Sequence, residues 1–97
     1  MSGTEAVNVR ILDREYSVGV TPDERDGLIA AARLLDRQMR DVRGANRMAA
    51  IDRVAVLAAL NLAHELQQLR DETARRERQL TRTLDSLQRK LDQVVDP

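Results

Sequence analysis

The stretch that decides the fold is DRVAVLAALNLAHEL, residues 52–66, in which apolar side chains occupy almost every side of a helix. A surface helix usually carries one apolar stripe, so a helix that is apolar all round must be covered on several sides. The chain has only 97 residues, 33% of them charged, and one aromatic residue, Tyr16. Such a composition is typical of long helices and coiled coils. The stretch therefore predicts burial by the rest of the chain on one face and by a second copy on another.

Two short runs near the N-terminus predict a β-hairpin. Residues 7–11 (VNVRI) and 16–20 (YSVGV) alternate apolar side chains with polar residues or glycine, which is the period of a half-buried strand. Asp13-Arg14 interrupts the alternation and is the expected two-residue turn, because Asp tolerates turn backbone better than most residues. An isolated hairpin is marginal in water, so this one is expected to rest on another element.

A first helix is predicted from about residue 22 to residue 43. Thr21 can cap it, Pro22 suits its first position, and Glu24 completes a capping box. Apolar residues then recur at steps of three and four as far as Val42, which is the pattern of one apolar helix face. Gly44 is the expected stop, because glycine readily takes the left-handed conformation just past a helix.

A second helix is predicted from near Arg47, and no Pro or Gly interrupts it before Pro97. About 45 helical residues would extend for roughly 70 Å, more than the rest of this chain can cover. Residues 51–69 carry a broad apolar surface, and from Leu80 the leucines follow the narrower heptad seam of a coiled coil. Between these two regions, Thr73 and Arg76 occupy positions where apolar residues would be expected. Carrying the apolar repeat of residues 51–69 through to Leu80 needs a four-residue insertion in the heptad pattern, a stutter.

These elements predict an α+β fold: a short β-hairpin packed on a helix, followed by a long helix that extends into a C-terminal coiled coil, in an oligomer. The expected organisation is a disordered lead (1–5), an α/β segment with the dimerisation helix (6–69) and a coiled-coil segment (70–97). Asn61 is polar within the most apolar run. It is expected either to fix the register of a helix–helix seam or to face solvent, and both interpretations stay open.

The sequence gives no indication of catalytic, metal or cofactor chemistry. It has no cysteine, which excludes a thiolate nucleophile and a Cys-type zinc site. His64 has Leu60 and Gln68 one turn away on its helix, and neither is a zinc ligand. The four glycines are scattered and form no phosphate loop. The expected protein is thus neither an enzyme nor a cofactor carrier.

Membrane insertion and export are not expected either. No apolar run is long enough to span a bilayer, and the N-terminal MSGTEAVNV lacks the basic and apolar regions of a signal peptide. The sequence therefore predicts a cytoplasmic protein.

An arginine row supports one alternative function, a small dimeric nucleic-acid-binding protein. The row lies at the end of the first helix and in the following loop, at Arg37, Arg40, Arg43 and Arg47. Nucleic-acid binding usually needs a basic excess, since phosphate neutralisation supplies most of the affinity. Here 16 basic residues balance 16 acidic ones, and Asp36 and Asp41 dilute the row. The charge balance disfavours nucleic acid without excluding it.

Three stretches together resemble the ZapA family of small bacterial cell-division proteins, which associate with the tubulin-like GTPase FtsZ. They are VNVRILDREYSV (7–18), TPDERDGLIAAARLLDRQM (21–39) and DRVAVLAALNLAHEL. The E-Y-x-V strand and the A-A-L-N-L-A run are the most specific parts of the match. Asp13 departs from the family pattern, because many members have glycine at the hairpin turn.

The resemblance implies a dimer of α/β domains, with two dimers joined through antiparallel coiled coils into a tetramer. It also implies binding to FtsZ protofilaments, which would be cross-linked or aligned at the mid-cell division septum, with no catalysis and no cofactor. The positions that match the family's FtsZ contacts are Arg14, Arg43, Arg47 and Asp52. Those implied for dimerisation are Ile51, Val54, Ala58, Asn61, Leu62 and Leu66. Those implied for the tetrameric coil are Leu80, Leu84, Leu87 and Leu91.

Overall fold

A computed structural model describes residues 3–45 and 47–95 of the chain. Two strands, β1 (Glu5–Ile11) and β2 (Arg14–Val20), are followed by a 3-10 turn (Pro22–Glu24). Two helices follow, α1 (Arg25–Ala45) and α2 (Ile51–Val95). This order confirms the predicted hairpin, helix and long second helix.

The chain divides into two compact units, with the boundary between Ala63 and His64. We call the described residues up to Ala63 the head unit and those from His64 the arm unit. Of the predicted disordered lead, residues 1 and 2 lie outside the described residues, and Glu5 is the first residue of β1.

The hairpin is antiparallel, and Val7 faces Val18 while Val9 faces Tyr16 across it. Its two turn residues are Leu12 and Asp13, which both have positive φ, 48° and 66°, as a type I′ turn requires. The predicted turn Asp13-Arg14 is therefore wrong by one residue, since Arg14 already belongs to β2. A leucine in left-handed backbone is unusual. Here its side chain is buried in the core, which offsets the backbone cost.

The predicted cap at Thr21 is confirmed, but residues 22–24 form a 3-10 turn and the α-helix itself begins at Arg25, three residues later than predicted. The Thr21 backbone N–H and hydroxyl both donate to Glu24 Oε1, at 3.4 and 2.6 Å. Both hydrogen bonds hold the pKa of Glu24 below its usual value, and the bond from the Thr21 hydroxyl has the larger effect. The predicted stop at Gly44 is wrong, because α1 continues to Ala45 and no glycine among the described residues has positive φ. Glycine permits the left-handed conformation but does not impose it.

Because Gly44 is helical, Gly44→Ala is expected to stabilise the protein by about 0.5–1 kcal/mol. A Cβ at this position would meet no atom within 4 Å beyond its two chain neighbours and its own helix backbone, so the added methyl group has open space. Urea unfolding followed by circular dichroism measures the change. The matched control is Ala30→Gly at an exposed site of the same helix, which is expected to lower stability by a similar amount. An unchanged or lower midpoint for Gly44→Ala would contradict the prediction.

The head unit has a small aliphatic core in two clusters. Val7 and Val9 of β1 pack with Ala32 of α1. The second cluster joins the hairpin turn, α1 and the start of α2, through Leu12, Met39, Val54 and Ala58. The hairpin turn and the facing ends of the two helices therefore meet at one buried point.

The second helix begins at Ile51, so the predicted start near Arg47 is wrong; residues 47–49 form a turn and a bend. The Val54 N–H donates to the Ala50 carbonyl at 3.0 Å, which closes the first helical turn. Asp52 lies in that turn, where a negative charge is favourable beside the free N–H groups. Among the described residues, no helix is both long and apolar enough to cross a membrane.

Candidate partner-binding and self-association surfaces

An ion-pair network ties the hairpin turn to the middle of α1. Asp36 accepts the Leu12 N–H at 2.8 Å through Oδ1 and the Arg40 Nε at 2.9 Å through Oδ2. Arg40 Nη2 also donates to Asp13 Oδ1 at 3.1 Å. Both turn residues are thereby bound to α1. The backbone of Arg14, the next residue, is held in place as a consequence.

Two hydrogen bonds hold the pKa of Asp36 below its ordinary value of 3.8. The bond from Arg40 has the larger effect, and the bond from the Leu12 N–H has the next largest. A carboxyl group whose pKa is lowered by folding stabilises the fold above its unfolded pKa, and the stabilisation is lost as the pH falls through the folded pKa. The Asp36 contribution is therefore complete near neutral pH and disappears below the ordinary Asp range.

Asp36→Asn is expected to lower the melting temperature at pH 7 and to flatten its dependence on pH below about 4. The amide keeps a carbonyl oxygen for the Leu12 N–H but removes the charge that faces Arg40. Thermal unfolding between pH 2.5 and 7 tests this, with Asp41→Asn on the same helix as the matched control. If the two variants have the same pH profile, the charge of Asp36 does not contribute to the stability of the fold.

The four residues predicted to contact FtsZ all lie near the point where the three head elements meet. Arg14 begins β2, Arg43 is in the last turn of α1, Arg47 lies in the connecting turn and Asp52 is in the first turn of α2. All four are exposed. Within residues 3–45 and 47–95, none of these three arginines has an ion-pair partner within 4 Å. Their guanidinium groups are available to a partner, and their role in FtsZ binding stays a prediction.

The arginine row that suggested nucleic acid is interrupted by this network. Arg40, its second member, pairs with Asp36 at 2.9 Å and with Asp13 at 3.1 Å. A guanidinium between two carboxylates adds little positive potential for a phosphate backbone. The structure therefore offers nothing in support of the nucleic-acid alternative.

The residues predicted for dimerisation fall into covered and uncovered groups. Val54 and Ala58 are only 1% and 0% exposed, since they pack against Leu12 and Met39 of the same chain. Ile51 and Leu62 are half-buried, and Asn61 and Leu66 are exposed. The role of all six in dimerisation stays a prediction, but Val54 and Ala58 have no free area left for a partner.

The structure also reveals an exposed apolar face that was not among the predicted oligomerisation residues. Val56 and Leu60 are 66% and 64% exposed. The sequence did contain a signal for this face, because both residues belong to the broad apolar surface of residues 51–69. The structure shows that the chain itself covers the face of Val54 and Ala58 and leaves the face of Val56 and Leu60 exposed.

A second feature of the head unit is an apolar groove of about 390 Å³ between the hairpin, α1 and the start of α2. We call it the head groove. Its floor and walls include Val9 and Tyr16 of the hairpin, Leu28 and Leu35 of α1, and Ala55 of α2. Every residue that lines it is aliphatic except Tyr16 and Met39. Its lining is suited to aliphatic side chains and offers no charge to a polar ligand.

In the arm unit, the predicted heptad leucines form an uncovered seam. Leu80, Leu84, Leu87 and Leu91 are all exposed. The seam position Arg76 is paired within the helix, through Nη2 and Glu72 Oε1 at 2.8 Å. Among the described residues, no group of three His, Asp or Glu side chains could hold a metal ion.

A family model described as "Cell division protein ZapA" matches residues 7–91. The chain belongs to the ZapA family. It is 38% identical to a cell division protein ZapA of Pseudomonas aeruginosa over 99% of this chain and 96% of that protein. A protein of the same name from Pectobacterium carotovorum is 28% identical over 94% and 84% of the two chains. ZapA family membership supports a role in cell division.

Two solved structures resemble this ZapA family member over most of their length. One, described as an unknown conserved bacterial protein from Pseudomonas aeruginosa PAO1, has a TM-score of 0.71 and 35% identity, covering 91% of this chain and 97% of its own. The other is described as a ZapA mutant dimer from Geobacillus stearothermophilus. This second structure has a TM-score of 0.64 and 25% identity, and the match covers 84% of this chain and 93% of the Geobacillus chain.

Proposed function

We propose that this ZapA family protein is a non-enzymatic cross-linker that binds FtsZ protofilaments and bundles them at the division septum, in the cytoplasm. The observation that carries the proposal is the group of exposed charges at the meeting point of the three head elements. Arg14, Arg43 and Arg47 are exposed there, without an ion-pair partner among the described residues. Exposed arginines suit both hydrogen bonding to carboxylates and steering toward an acidic filament surface.

Cross-linking needs at least two binding patches in one particle, which self-association would supply. The uncovered apolar face of the head unit and the uncovered leucine seam of the arm unit both support association with further copies. The relative described as a ZapA mutant dimer supports a dimer as one step of this association. We propose that the arm seam then joins two dimers into a tetramer. Repeated weak contacts along one filament would become effective through high local concentration.

Co-sedimentation with FtsZ polymerised by GTP tests the proposal, and a GDP sample without polymer is the control. We expect the protein in the GTP pellet, bundles under the electron microscope, and binding that weakens as salt is raised. If the protein stays in the supernatant at low salt, FtsZ polymer is not its partner.

A further inference from the structure

The hairpin turn is joined to α1 by the ion pair between Asp13 and Arg40, and the residue that follows Asp13 is Arg14. We propose that Asp13 and Arg40 are positioning residues: they fix the direction in which Arg14 faces a bound filament, without touching the filament themselves. The inference rests on the proposed function, because it assigns a role at the same FtsZ-binding surface.

The turn has a backbone conformation that its two residues do not favour. Leu12 and Asp13 have φ of 48° and 66°, in a type of turn whose second position is most often glycine. Left-handed backbone costs a residue with a Cβ more than it costs glycine. Leu12 is held in this conformation by its buried side chain and by the hydrogen bond from its N–H to Asp36 at 2.8 Å. Asp13 is held by the Arg40 guanidinium, at 3.1 Å.

The position of Arg14 depends on the turn that precedes it. Arg14 pairs with Ile11, and facing residues of an antiparallel pair carry their side chains on the same face of the sheet. Ile11 packs against the core, so Arg14 lies on the face of the hairpin that is directed toward the helices. Arg43 is three residues beyond Arg40 on α1, and residues three apart are neighbours on a helix. The Asp13–Arg40 pair thus ties the strand that carries Arg14 to the helix that carries Arg43.

The ion pair is too exposed to contribute much to stability. The Arg40 side chain is 44% exposed and that of Asp13 70%, and water screens ion pairs of this kind. Binding is more sensitive, because an arginine that donates two hydrogen bonds to one carboxylate tolerates little displacement. Loss of the pair is therefore expected to weaken FtsZ binding and to leave the melting temperature almost unchanged.

Asp13→Gly tests the inference, because glycine keeps the turn backbone and removes the acceptor of Arg40. We expect a roughly 5-fold weaker affinity in FtsZ co-sedimentation, within the range of coupling between neighbouring residues. The direction of the change is decisive, since removing an acidic charge beside arginines that face an acidic filament would by itself strengthen binding. The matched control is Glu15→Gln, which removes an exposed acidic charge from the other side of Arg14. Glu15 has no ion-pair partner within 4 Å among the described residues, and this control is expected to bind at least as tightly as the parent.

Two further backgrounds show whether the effect passes through Arg14. In an Arg47→Ala chain, Asp13→Gly is expected to weaken binding by the same factor as in the parent. In an Arg14→Ala chain it is expected to have no effect, because no side chain is left to position. An equal loss in both backgrounds overturns the inference. So does an unchanged affinity of Asp13→Gly in the parent, or an equal loss with Glu15→Gln.

A measurement without FtsZ separates this inference from the proposed function. Amide hydrogen exchange followed by NMR is expected to be at least ~10-fold faster at Leu12 and Arg14 in the Asp13→Gly variant, and unchanged at Val7. Circular dichroism checks that the variant is folded. Unchanged exchange at Arg14 overturns the positioning role even if the parent binds FtsZ. If the parent does not co-sediment but exchange at Arg14 rises, FtsZ is refuted as the partner and the positioning of Arg14 stands.

Discussion

Arg14→Glu combined with Arg47→Glu is expected to abolish co-sedimentation with FtsZ polymer at moderate salt without changing the size of the oligomer. Both side chains are exposed and have no ion-pair partner among the described residues. Reversing their charge therefore breaks no contact seen within the fold. Against an acidic partner, each reversal converts an attraction into a repulsion. A loss of at least ~10-fold in affinity follows if one such contact contributes about 1.4 kcal/mol.

Pelleting is measured across a salt series, and light scattering checks the oligomer. Arg33→Glu is the matched control, since Arg33 is also an exposed arginine of the head unit but lies on α1 away from the meeting point of the three elements. We expect the control to bind as the parent does. Equal binding by the double variant would show that FtsZ contacts another surface, whereas a smaller oligomer would show that these arginines serve self-association.

The order of elements could be predicted because each has a local signal. Alternation in residues 7–11 and 16–20 gives the strands, and the Thr21–Glu24 cap gives the first helix. Local turn chemistry predicts the hairpin turn at Asp13-Arg14, one residue later than the turn in the structure. Leu12 enters the turn for a non-local reason, namely burial against Met39, Val54 and Ala58, and its N–H binds Asp36, 24 residues away. Such contacts are not visible in a local pattern.

The faces of α2 are a second feature that the sequence pattern predicts only in part. The excess of apolar residues correctly indicated that one face is covered by the chain and another is left uncovered. Periodicity cannot tell these faces apart, because Val54 and Val56 are equally apolar and only the packing of Leu12 and Met39 covers one of them.

The predicted contact role of Arg14, Arg43 and Arg47 comes from the family resemblance and not from the charge pattern. The sequence alone could not have separated Arg40, which is paired with Asp13 and Asp36, from its neighbours in the row.

Leu84→Glu combined with Leu87→Glu is expected to leave a folded dimer that still binds FtsZ but bundles it poorly. The two leucines are 56% and 50% exposed in the single chain, so about half of each side chain remains to be buried in a coil. Full burial of a leucine contributes about 1.5–3 kcal/mol, and a seam with charged residues at both positions loses that gain and adds like-charge repulsion. In a tetramer the pair of substitutions is present in four copies, which multiplies the loss.

Thr83→Glu combined with Ser86→Glu is the matched control, because it adds the same charge to the same helix one residue away from the seam. Both positions are exposed, and the control is expected to keep the parent's oligomer and its bundling. Light scattering gives the mass, and turbidity with electron microscopy gives the bundling. A surviving tetramer in the leucine variant would mean that the arm seam does not join dimers. If instead the variant is dimeric and bundles FtsZ as well as the parent, two patches in one dimer suffice for cross-linking, and the arm serves another purpose.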